Sequence, residues 1–413
     1  MDKQEKQKRE TMTSILLCCL FFIPAINNFL NCILQTGLEI PFRMLTPATY
    51  IALIIIGAFS FLRLRKKGLA CWLSLLTFAV LLLVSFLSYP EIRGVMFTSW
   101  YDPVYNPMYK ILFFYIPALI YATEIGNYKN LYSVLIWFAR ITLIIGVFAY
   151  AFVVLYKNGT MQYMVFSYFL ITAVCACFEN VIQKHNVLDL LLAIAGSASM
   201  ILCGARGAIV SLVAFLVLRF FVFYPTKNRK TKVILLSILI AIIVAFFLFG
   251  KPLLVFVAGI LEHFGVDSRF ISTLADGSFF DGSGRDELLN IVMRAWHDNP
   301  IGYGLYGDRY VTGVYGWGSN TYAHNLVLEL LCDFGLFGIF ILAVGAFFFL
   351  RAMIGNRDKM FVALIWIMLP YGLFQLFFSS SFLENMMFYA IVGFVIRNQR
   401  NRCLTVDEGG KCD

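Results

Sequence analysis

Long apolar runs, interrupted by few charged residues, constrain the fold of this 413-residue chain more than any other feature. A bilayer hydrocarbon core about 30 Å thick takes roughly 20 residues of apolar helix to cross. Twelve runs of about 13 to 27 residues approach or meet that length, beginning near residues 13, 45, 69, 108, 131, 162, 187, 208, 233, 324, 360 and 385. Only 14% of the residues are charged, against about 25% in soluble domains. The sequence therefore predicts an all-α polytopic membrane protein with about 12 transmembrane helices.

The distribution of lysine and arginine predicts the orientation of these helices, because positive charge is retained on the cytoplasmic side of a membrane. With the N-terminus inside, the cytoplasmic segments hold 21 of the 33 basic residues, so the net charge of +9 mostly reflects topology. A nucleic-acid surface would instead gather basic residues with aromatic platforms on one water-exposed face. We expect no nucleic acid partner.

The predicted spans divide the chain into three parts. Residues 1–250 hold nine helices, residues 251–323 form one large extracytoplasmic loop with short helices, and residues 324–413 hold three further helices and a cytoplasmic tail. A loop of this length is uncommon and usually functional. It contains five basic and eight acidic residues, so an anion site there would need individual arginines brought together by folding.

The stretch GRDELLNIVMRAW (284–296) predicts a short amphipathic helix inside this loop. Its apolar residues recur at helical intervals, which would place one face on the membrane or on the bundle; they are Leu288, Leu289, Val292 and Trp296. The helix should end near NPIGYG (299–304), where proline and glycine favour a turn.

Arg206 lies in the sequence Gly204-Ala205-Arg206-Gly207, the predicted tight outer turn between the seventh and eighth spans. One interpretation is an arginine that reaches the phosphates of lipid headgroups. The other is a ligand for a lipid-linked diphosphate, because the planar guanidinium binds phosphate oxygens in bidentate fashion and stays charged. A diphosphate favours more than one such group, and Arg285 is the natural second.

His324 is the best candidate for proton transfer. It stands at the predicted start of the tenth span, where the positive end of the helix dipole favours the neutral imidazole. A neutral imidazole can accept a proton from a sugar hydroxyl near pH 7. The structural alternative is a helix-entry residue hydrogen-bonded to the loop, with Asn320 as the N-cap.

Two further groups of polar and aromatic residues are candidates for binding or structure. Candidates for substrate contact outside the membrane are Arg43, Arg93, Arg294, Arg309, Asn325, Trp317 and Tyr322. Aromatic faces beside amides and hydroxyls suit carbohydrate, although Tyr and Trp also anchor proteins at membrane interfaces. Residues inside spans that must face a partner or a water-filled cavity are Arg140, Glu179, Glu329, Asp333, Gln375 and Glu384. Glu329 and Asp333 share one helical face, which predicts a structural pair facing the bundle interior.

Three motifs occur in order between residues 204 and 338. The first is a small-Arg-small turn (Ala205-Arg206-Gly207). The second is an R-x-x-x-L pattern followed by a Pro-x-Gly-x-Gly turn (285–304), and the third is His-Asn, nine residues and Gly-x-x-Gly (324–338). In these motifs the chain resembles the O-antigen ligase and polymerase superfamily of bacterial envelope glycosyltransferases, which includes Wzy-type polymerases.

That resemblance implies a GT-C-like helical fold, with the active site on the outer, periplasmic face of the bacterial inner membrane. It implies a glycan donor carried on undecaprenyl diphosphate and an acceptor that is a lipid-linked repeat unit or the lipid A core. A chain-length regulator is a further expected partner, and neither a cofactor nor a metal is expected. Arg206 and Arg285 would hold the diphosphate while His324 activates the acceptor hydroxyl, with inversion at the anomeric carbon.

Three activities remain open on these grounds. A polymerase lengthens lipid-linked repeat units into a surface polysaccharide such as O-antigen, capsule or exopolysaccharide, and a ligase transfers the glycan to lipid A core or another acceptor. We favour the polymerase because nothing in the chain points to a lipid A core partner. A flippase for the same lipid-linked sugars is the third, but carriers tend to have repeated halves with broken helices at the midplane. Here the polar residues concentrate in one outer loop.

Overall fold

A computed structural model of the chain describes residues 3–38, 45–63, 69–90, 92–97, 106–156, 163–222, 285–315, 321–354, 356 and 358–407, together with isolated residues between 228 and 263. Helices make up most of these described residues, which contain no strand. The predicted all-α class is therefore confirmed.

The first half of the chain supplies most of the bundle. Its helices are α1 (Lys3–Leu38), α2 (Thr46–Phe61), α3 (Leu69–Ser88), α4 (Ile92–Met96), α5 (Pro107–Lys110), α6 (Ile116–Glu124), α7 (Tyr128–Tyr156), α8 (Tyr163–Lys184), α9 (Val187–Cys203) and α10 (Arg206–Leu216). A π-helical turn, Ile111–Tyr115, joins α5 to α6, and a second, Val217–Val222, extends α10.

The second half adds two short helices and three long ones. They are α11 (Arg285–Asp298), α12 (Gly307–Val314), α13 (Leu326–Met353), α14 (Lys359–Gly372) and α15 (Met386–Asp407). The segment 373–385, called the α14–α15 connection below, contains two 3₁₀ turns, Phe374–Phe377 and Phe382–Glu384.

Eleven of the twelve predicted spans coincide with helices, and most of the ninth, which begins near residue 233, lies outside the described residues. Six stretches of the described helices are long and apolar enough to cross a membrane: Gln4–Thr36, Cys71–Ser88, Tyr128–Val154, Val165–Lys184, Leu326–Met353 and Lys359–Phe377. Two shorter apolar helices are Thr46–Phe61 and Val187–Cys203. The chain is thus an all-α multi-pass membrane protein, while the count of twelve and the GT-C-like arrangement stay predictions.

The bundle core is built from apolar and aromatic side chains of α1, α7, α8 and α14. Helix α1 packs along α7, α8 along α9, and α14 against α8. Phe22 and Phe29 of α1 and Phe166 of α8 are almost fully buried there. On the outside, large apolar side chains such as Leu76 of α3 and Phe340 of α13 are exposed. Exposed apolar surface of this kind is typical of faces that meet lipid.

The amphipathic helix predicted in the loop is present as α11, and it ends at Asp298, where the turn was predicted. Leu288 and Val292 are buried, as the helical spacing predicted. Leu289 is 41% exposed, so it lies on the part of the predicted apolar face that is not covered by the bundle. Successive residues lie about 100° apart around a helix, and α11 packs on α12 and α13 with the side that carries Leu288.

Two arginines inside the bundle are paired with carboxylates, which removes much of the cost of placing these charges there. The Arg140 guanidinium donates to both carboxylate oxygens of Asp189, at 2.7 and 2.8 Å. Arg219 binds Glu179 in the same bidentate manner, with both distances 2.7 Å and both side chains buried. The partners expected for Arg140 and Glu179 are therefore Asp189 and Arg219.

Helix α13 is broken at Gly335, which has φ 57° and ψ −143°. The break leaves two carbonyls free of ordinary helical pairing, and the loop turn supplies donors to them. The backbone N–H of Tyr303 donates to the Cys332 carbonyl at 2.9 Å, and that of Gly304 donates to the Asp333 carbonyl at 2.7 Å. A Cβ atom at Gly335 would lie 1.9 Å from the Pro300 carbonyl oxygen. The Pro-x-Gly-x-Gly turn thus packs directly against the first glycine of Gly-x-x-Gly.

We expect Gly335→Ala to separate the turn from α13, because alanine meets both a disfavoured φ and a backbone clash. Strain of this kind costs about 1–3 kcal/mol, and the apparent melting temperature of the detergent-solubilised protein should fall. Limited proteolysis should then cleave within 299–315. Gly345→Ala is the matched control in the same helix, since a Cβ there meets nothing within 4 Å. Equal melting temperatures and equal protease resistance for the two variants would contradict this account of the break.

Candidate functional site

Arg206 begins α10 directly after a tight turn, as predicted. Gly204 ends α9 in the left-handed conformation, with φ 78°, and Ala205 is the N-cap of α10. The side chain of Arg206 is half-buried. A glycine at 204 makes this reversal possible within two residues, because residues with a Cβ atom rarely adopt that φ.

Gly207 packs the start of α10 against the α14–α15 connection. A Cβ atom at Gly207 would lie 2.6 Å from Ser379 Oγ and 3.0 Å from the Tyr168 hydroxyl. Those two groups are themselves hydrogen-bonded at 2.5 Å. A larger residue at 207 would displace the hydroxyl ends of Ser379 and Tyr168, so the small residue after Arg206 in the motif allows α10 to begin in contact with this serine.

His324 is connected to the same serine through Tyr322. The two rings lie 4.2 Å apart between centroids, and the Tyr322 hydroxyl donates to the Ser379 carbonyl at 2.9 Å. Ser379 therefore joins the turn that carries Arg206 to the segment that carries His324. We call this contact of Tyr168, Gly207, Tyr322 and Ser379 the Ser379 junction.

The backbone of His324 is in the left-handed region, with φ 53°. Residues other than glycine are uncommon there, and they persist only where the surrounding structure over-determines them. Ala323, the preceding residue, donates its N–H to Asp308 Oδ2 at 2.9 Å. On the other side, Asn325 begins the capping of α13, so His324 is fixed at both neighbours.

Asn325 is the N-cap of α13, whereas Asn320 was expected to be; Asn320 lies outside the described residues. The Asn325 side-chain oxygen accepts from the N–H groups of Val327 and Leu328, and its amide nitrogen donates to the Phe377 carbonyl at 3.2 Å. Asn325 was predicted to contact substrate, but its amide serves the helix start and the α14–α15 connection. The amide is the preferred cap because its oxygen reaches the second and third N–H groups.

Arg309 was predicted to contact substrate, and the structure gives it internal partners instead. Its side chain is 3% exposed, and its guanidinium lies 3.0 Å from Asp308, 3.5 Å from Glu329 and 2.9 Å from Glu384. Burial alone would lower the pKa of this guanidinium, but the three carboxylates raise the pKa well above its ordinary value. Arg309 is thus a permanent positive charge at the centre of an acidic cluster.

Glu329 and Asp333 face the interior, which confirms the direction predicted from their spacing. They do not pair with each other. Glu329 accepts from the Ser381 hydroxyl and the Phe382 N–H, and Asp333 Oδ1 accepts from the Asp308 N–H at 3.0 Å. These bonds tie α13 to α12 and to the α14–α15 connection. The cluster therefore holds the same connection that carries Ser379.

The remaining candidate residues are less closely connected to this junction. Arg285 begins α11, and its side chain lies outside the described part of the chain. Arg294 is exposed on α11, and Arg93 donates to the Phe86 carbonyl at 2.9 Å while stacking on the Phe86 ring. Arg43 and Trp317 lie outside the described residues. In the described segments, no group of three or more His, Cys, Asp or Glu side chains is arranged to hold a metal ion.

Several residues of this region gave no site signal in the sequence. Tyr168 and Ser379 are an ordinary tyrosine and serine within or beside apolar runs, and only their contact with Gly207 singles them out. Lys110 ends α5, immediately before a π-helical turn, and its charge acts on Glu384. Single π turns inside helices are frequent at functional sites, but they cannot be read from an apolar sequence.

Comparison with known proteins agrees with the motifs. Residues 191–343 match the model of a protein family described as O-antigen ligase, a region that runs from α9 into α13 and includes Arg206, Arg285 and His324. No curated protein matches the chain. Members of the matched family are glycosyl-transferring enzymes that act on lipid-linked glycans. Residues 191–343 of this chain are thus similar to the O-antigen ligase family, which supports the resemblance to the O-antigen ligase and polymerase superfamily that the motifs carry.

Proposed function

We propose that this chain is a metal-independent, inverting membrane glycosyltransferase that polymerises undecaprenyl-diphosphate-linked oligosaccharide repeat units into a surface polysaccharide. The Ser379 junction is the observation that supports the proposal, because it links the turn that carries Arg206 to the segment that carries His324. A cation for the diphosphate and an imidazole for the acceptor are the two groups that such a transfer needs.

The arginines act on the leaving group. As the bond between the anomeric carbon and the diphosphate oxygen breaks, negative charge grows on the diphosphate. Arg206, with Arg285 as its second, holds the diphosphate and stabilises that charge, which lowers the barrier because the guanidinium is already in position. The undecaprenyl diphosphate then departs as an anion.

His324 acts on the acceptor. Its imidazole accepts the proton of the acceptor hydroxyl while the hydroxyl oxygen attacks the anomeric carbon from the face opposite the diphosphate, so inversion follows. One carbon–oxygen bond forms, one breaks, and the proton passes to the imidazole. The constrained backbone at residue 324, together with the Tyr322 ring, supports this role because a base must be held within hydrogen-bond reach of its proton.

In this proposal the site opens at the outer face of the bacterial inner membrane, where the lipid-borne donor and the acceptor meet. The orientation rests on the excess of basic residues in the predicted cytoplasmic segments. The acceptor is a second lipid-linked repeat unit, and a chain-length regulator would act on the same process.

A ligase is the second candidate, and the description of the matched family favours it. It would use the same donor and the same three residues, but would transfer the glycan to the lipid A core or another acceptor. The two activities differ only in the acceptor, so an assay that controls the acceptor separates them.

The test is reconstitution of the purified protein in liposomes with undecaprenyl-diphosphate-linked repeat units alone. We expect lengthened lipid-linked glycan, seen as a ladder on gels or by mass spectrometry, because a polymerase needs no second acceptor. Product that forms only after lipid A core is added would replace the polymerase with the ligase. Absence of transfer with either acceptor would count against both.

Replacing His324 by alanine should lower turnover by about 10²- to 10⁴-fold, the usual contribution of a general base. Donor binding should change little, because the diphosphate is held by arginines. His185→Ala is the matched control, since His185 also has a positive φ, 54°, but lies between α8 and α9. Full activity in the His324 variant would remove it from the mechanism.

Arg206→Lys and Arg285→Lys should each reduce transfer by about 10- to 100-fold, because lysine keeps the charge but loses the bidentate contact with phosphate. Turnover should fall together with affinity, since the contact strengthens as the leaving group gains charge. Arg351→Lys, at an exposed position near the end of α13, is the control. Normal transfer and donor affinity in either variant would limit that arginine to a structural role.

A further inference from the structure

Glu384 occupies a distinctive place in the acidic cluster around Arg309. Asp308 and Glu329 contact the same guanidinium and their side chains are fully buried, whereas the Glu384 side chain is 32% exposed. One guanidinium needs one negative charge, and the buried Asp308 side chain already lies 3.0 Å from it. Neutralising Arg309 therefore does not explain why a third carboxylate stands on its open side.

Two side chains, Arg309 and Tyr322, connect Glu384 to His324. Arg309 Nη2 donates to Glu384 Oε1 at 2.9 Å and to Ser381 Oγ at 3.0 Å. The Arg309 guanidinium carbon lies 5.5 Å from the centre of the Tyr322 ring, and that ring lies 4.2 Å from the His324 ring. Glu384 and His324 thus flank the same arginine–tyrosine contact.

The charged groups that face Glu384 come from three elements. They are Arg309 from α12, Lys110 from the end of α5, and His324 from the segment before α13. Burial alone would raise the pKa of the Glu384 carboxyl, but the positive charges of Arg309 and Lys110 and the hydrogen bond from Arg309 hold the pKa below its usual value, and His324 adds to this effect when it is protonated. The carboxylate is therefore ionised in the pH range of the reaction.

Phenols also face this carboxylate. Burial and the Glu384 charge raise the pKa of Tyr306 and Tyr322, and Tyr115 and Tyr371 face the same carboxylate from the bundle. Phenols stay uncharged at neutral pH. They add no charge that would cancel the field of the Glu384 carboxylate at His324.

We propose that Glu384 is a positioning residue for the transfer, whose carboxylate, fixed by Arg309, stabilises the imidazolium that forms when His324 takes the acceptor proton. An opposite charge close to an imidazole favours its protonated form. The carboxylate keeps its own proton state, and the proton stays on the imidazole. The inference rests on the proposed function, since it acts through His324.

The pH dependence of kcat/KM tests this. At acid pH kcat/KM falls, because His324 is then already protonated and cannot accept the acceptor proton. Removing the negative charge by Glu384→Gln makes the imidazole harder to protonate, so this acid limb of the profile should move to lower pH. We expect a displacement of about half a unit or more, together with a fall of about 10-fold in kcat because the base is weaker. Glu384→Asp keeps the charge and should leave the limb within about 0.2 units of its original position.

Lys110→Met supplies an independent measurement that does not depend on Glu384 variants folding. It removes a positive charge that faces the same carboxylate, so the acid limb should move to higher pH. Glu124→Gln is the matched control, because Glu124 is also bound by arginines, Arg63 at 2.9 Å and Arg9 at 3.3 Å, but it ends α6 among residues of the predicted cytoplasmic segments. It should leave the limb unchanged.

The outcomes separate this inference from the proposed function. An inactive His324→Ala variant together with an unmoved acid limb in both Glu384→Gln and Lys110→Met would overturn the role of Glu384 alone. An active His324→Ala variant would overturn the role of His324, and the role of Glu384 with it. Limbs that move in opposite directions in the two charge variants would support the inference.

Discussion

Two backbone carbonyls beside the helix break at Gly335 anchor the segments around His324. Where α13 breaks, Cys332 and Asp333 accept hydrogen bonds from the loop turn. Asp333 also accepts from Asp308, Asp308 accepts from Ala323, and Ala323 precedes His324. The conformation of His324 is therefore coupled, through a few hydrogen bonds, to a helix break eleven residues further along the chain. Glycine at 335 is required at the start of that series.

Buried charge is the second constraint on the structure. A lone ion in the bundle would cost several kcal/mol, and pairing offsets this only when hydrogen bonds satisfy the remaining polar atoms. Arg140 and Arg219 meet that condition with bidentate carboxylate partners. Arg309 differs, because it is surrounded by more carboxylates than its charge requires. An excess of this kind is less easily explained by stability than by an effect on neighbouring groups.

The sequence predicted features that depend on local periodicity or on a single residue type. The spans, the glycine turn before Arg206 and the end of α11 at the Pro-Gly turn are of this sort, and each is present. It did not predict features that depend on distant packing. Asn325 rather than Asn320 caps α13, and Arg309 is bound by carboxylates from α12, α13 and the α14–α15 connection. Spacing along one helix cannot indicate which acidic side chains of other segments will reach an arginine.

The Ser379 junction also bears on what counts as an independent unit in this chain. The segment that matches the family model ends at residue 343, yet the serine against which its first and last motifs pack lies 36 residues beyond that limit. A fragment cut to residues 191–343 would retain Arg206, Arg285 and His324 but would lack the surface that brings the first and the third into register. The motif-bearing stretch is thus not complete by itself, and the contacts at Ser379 form only when α14 and the α14–α15 connection have been synthesised and packed.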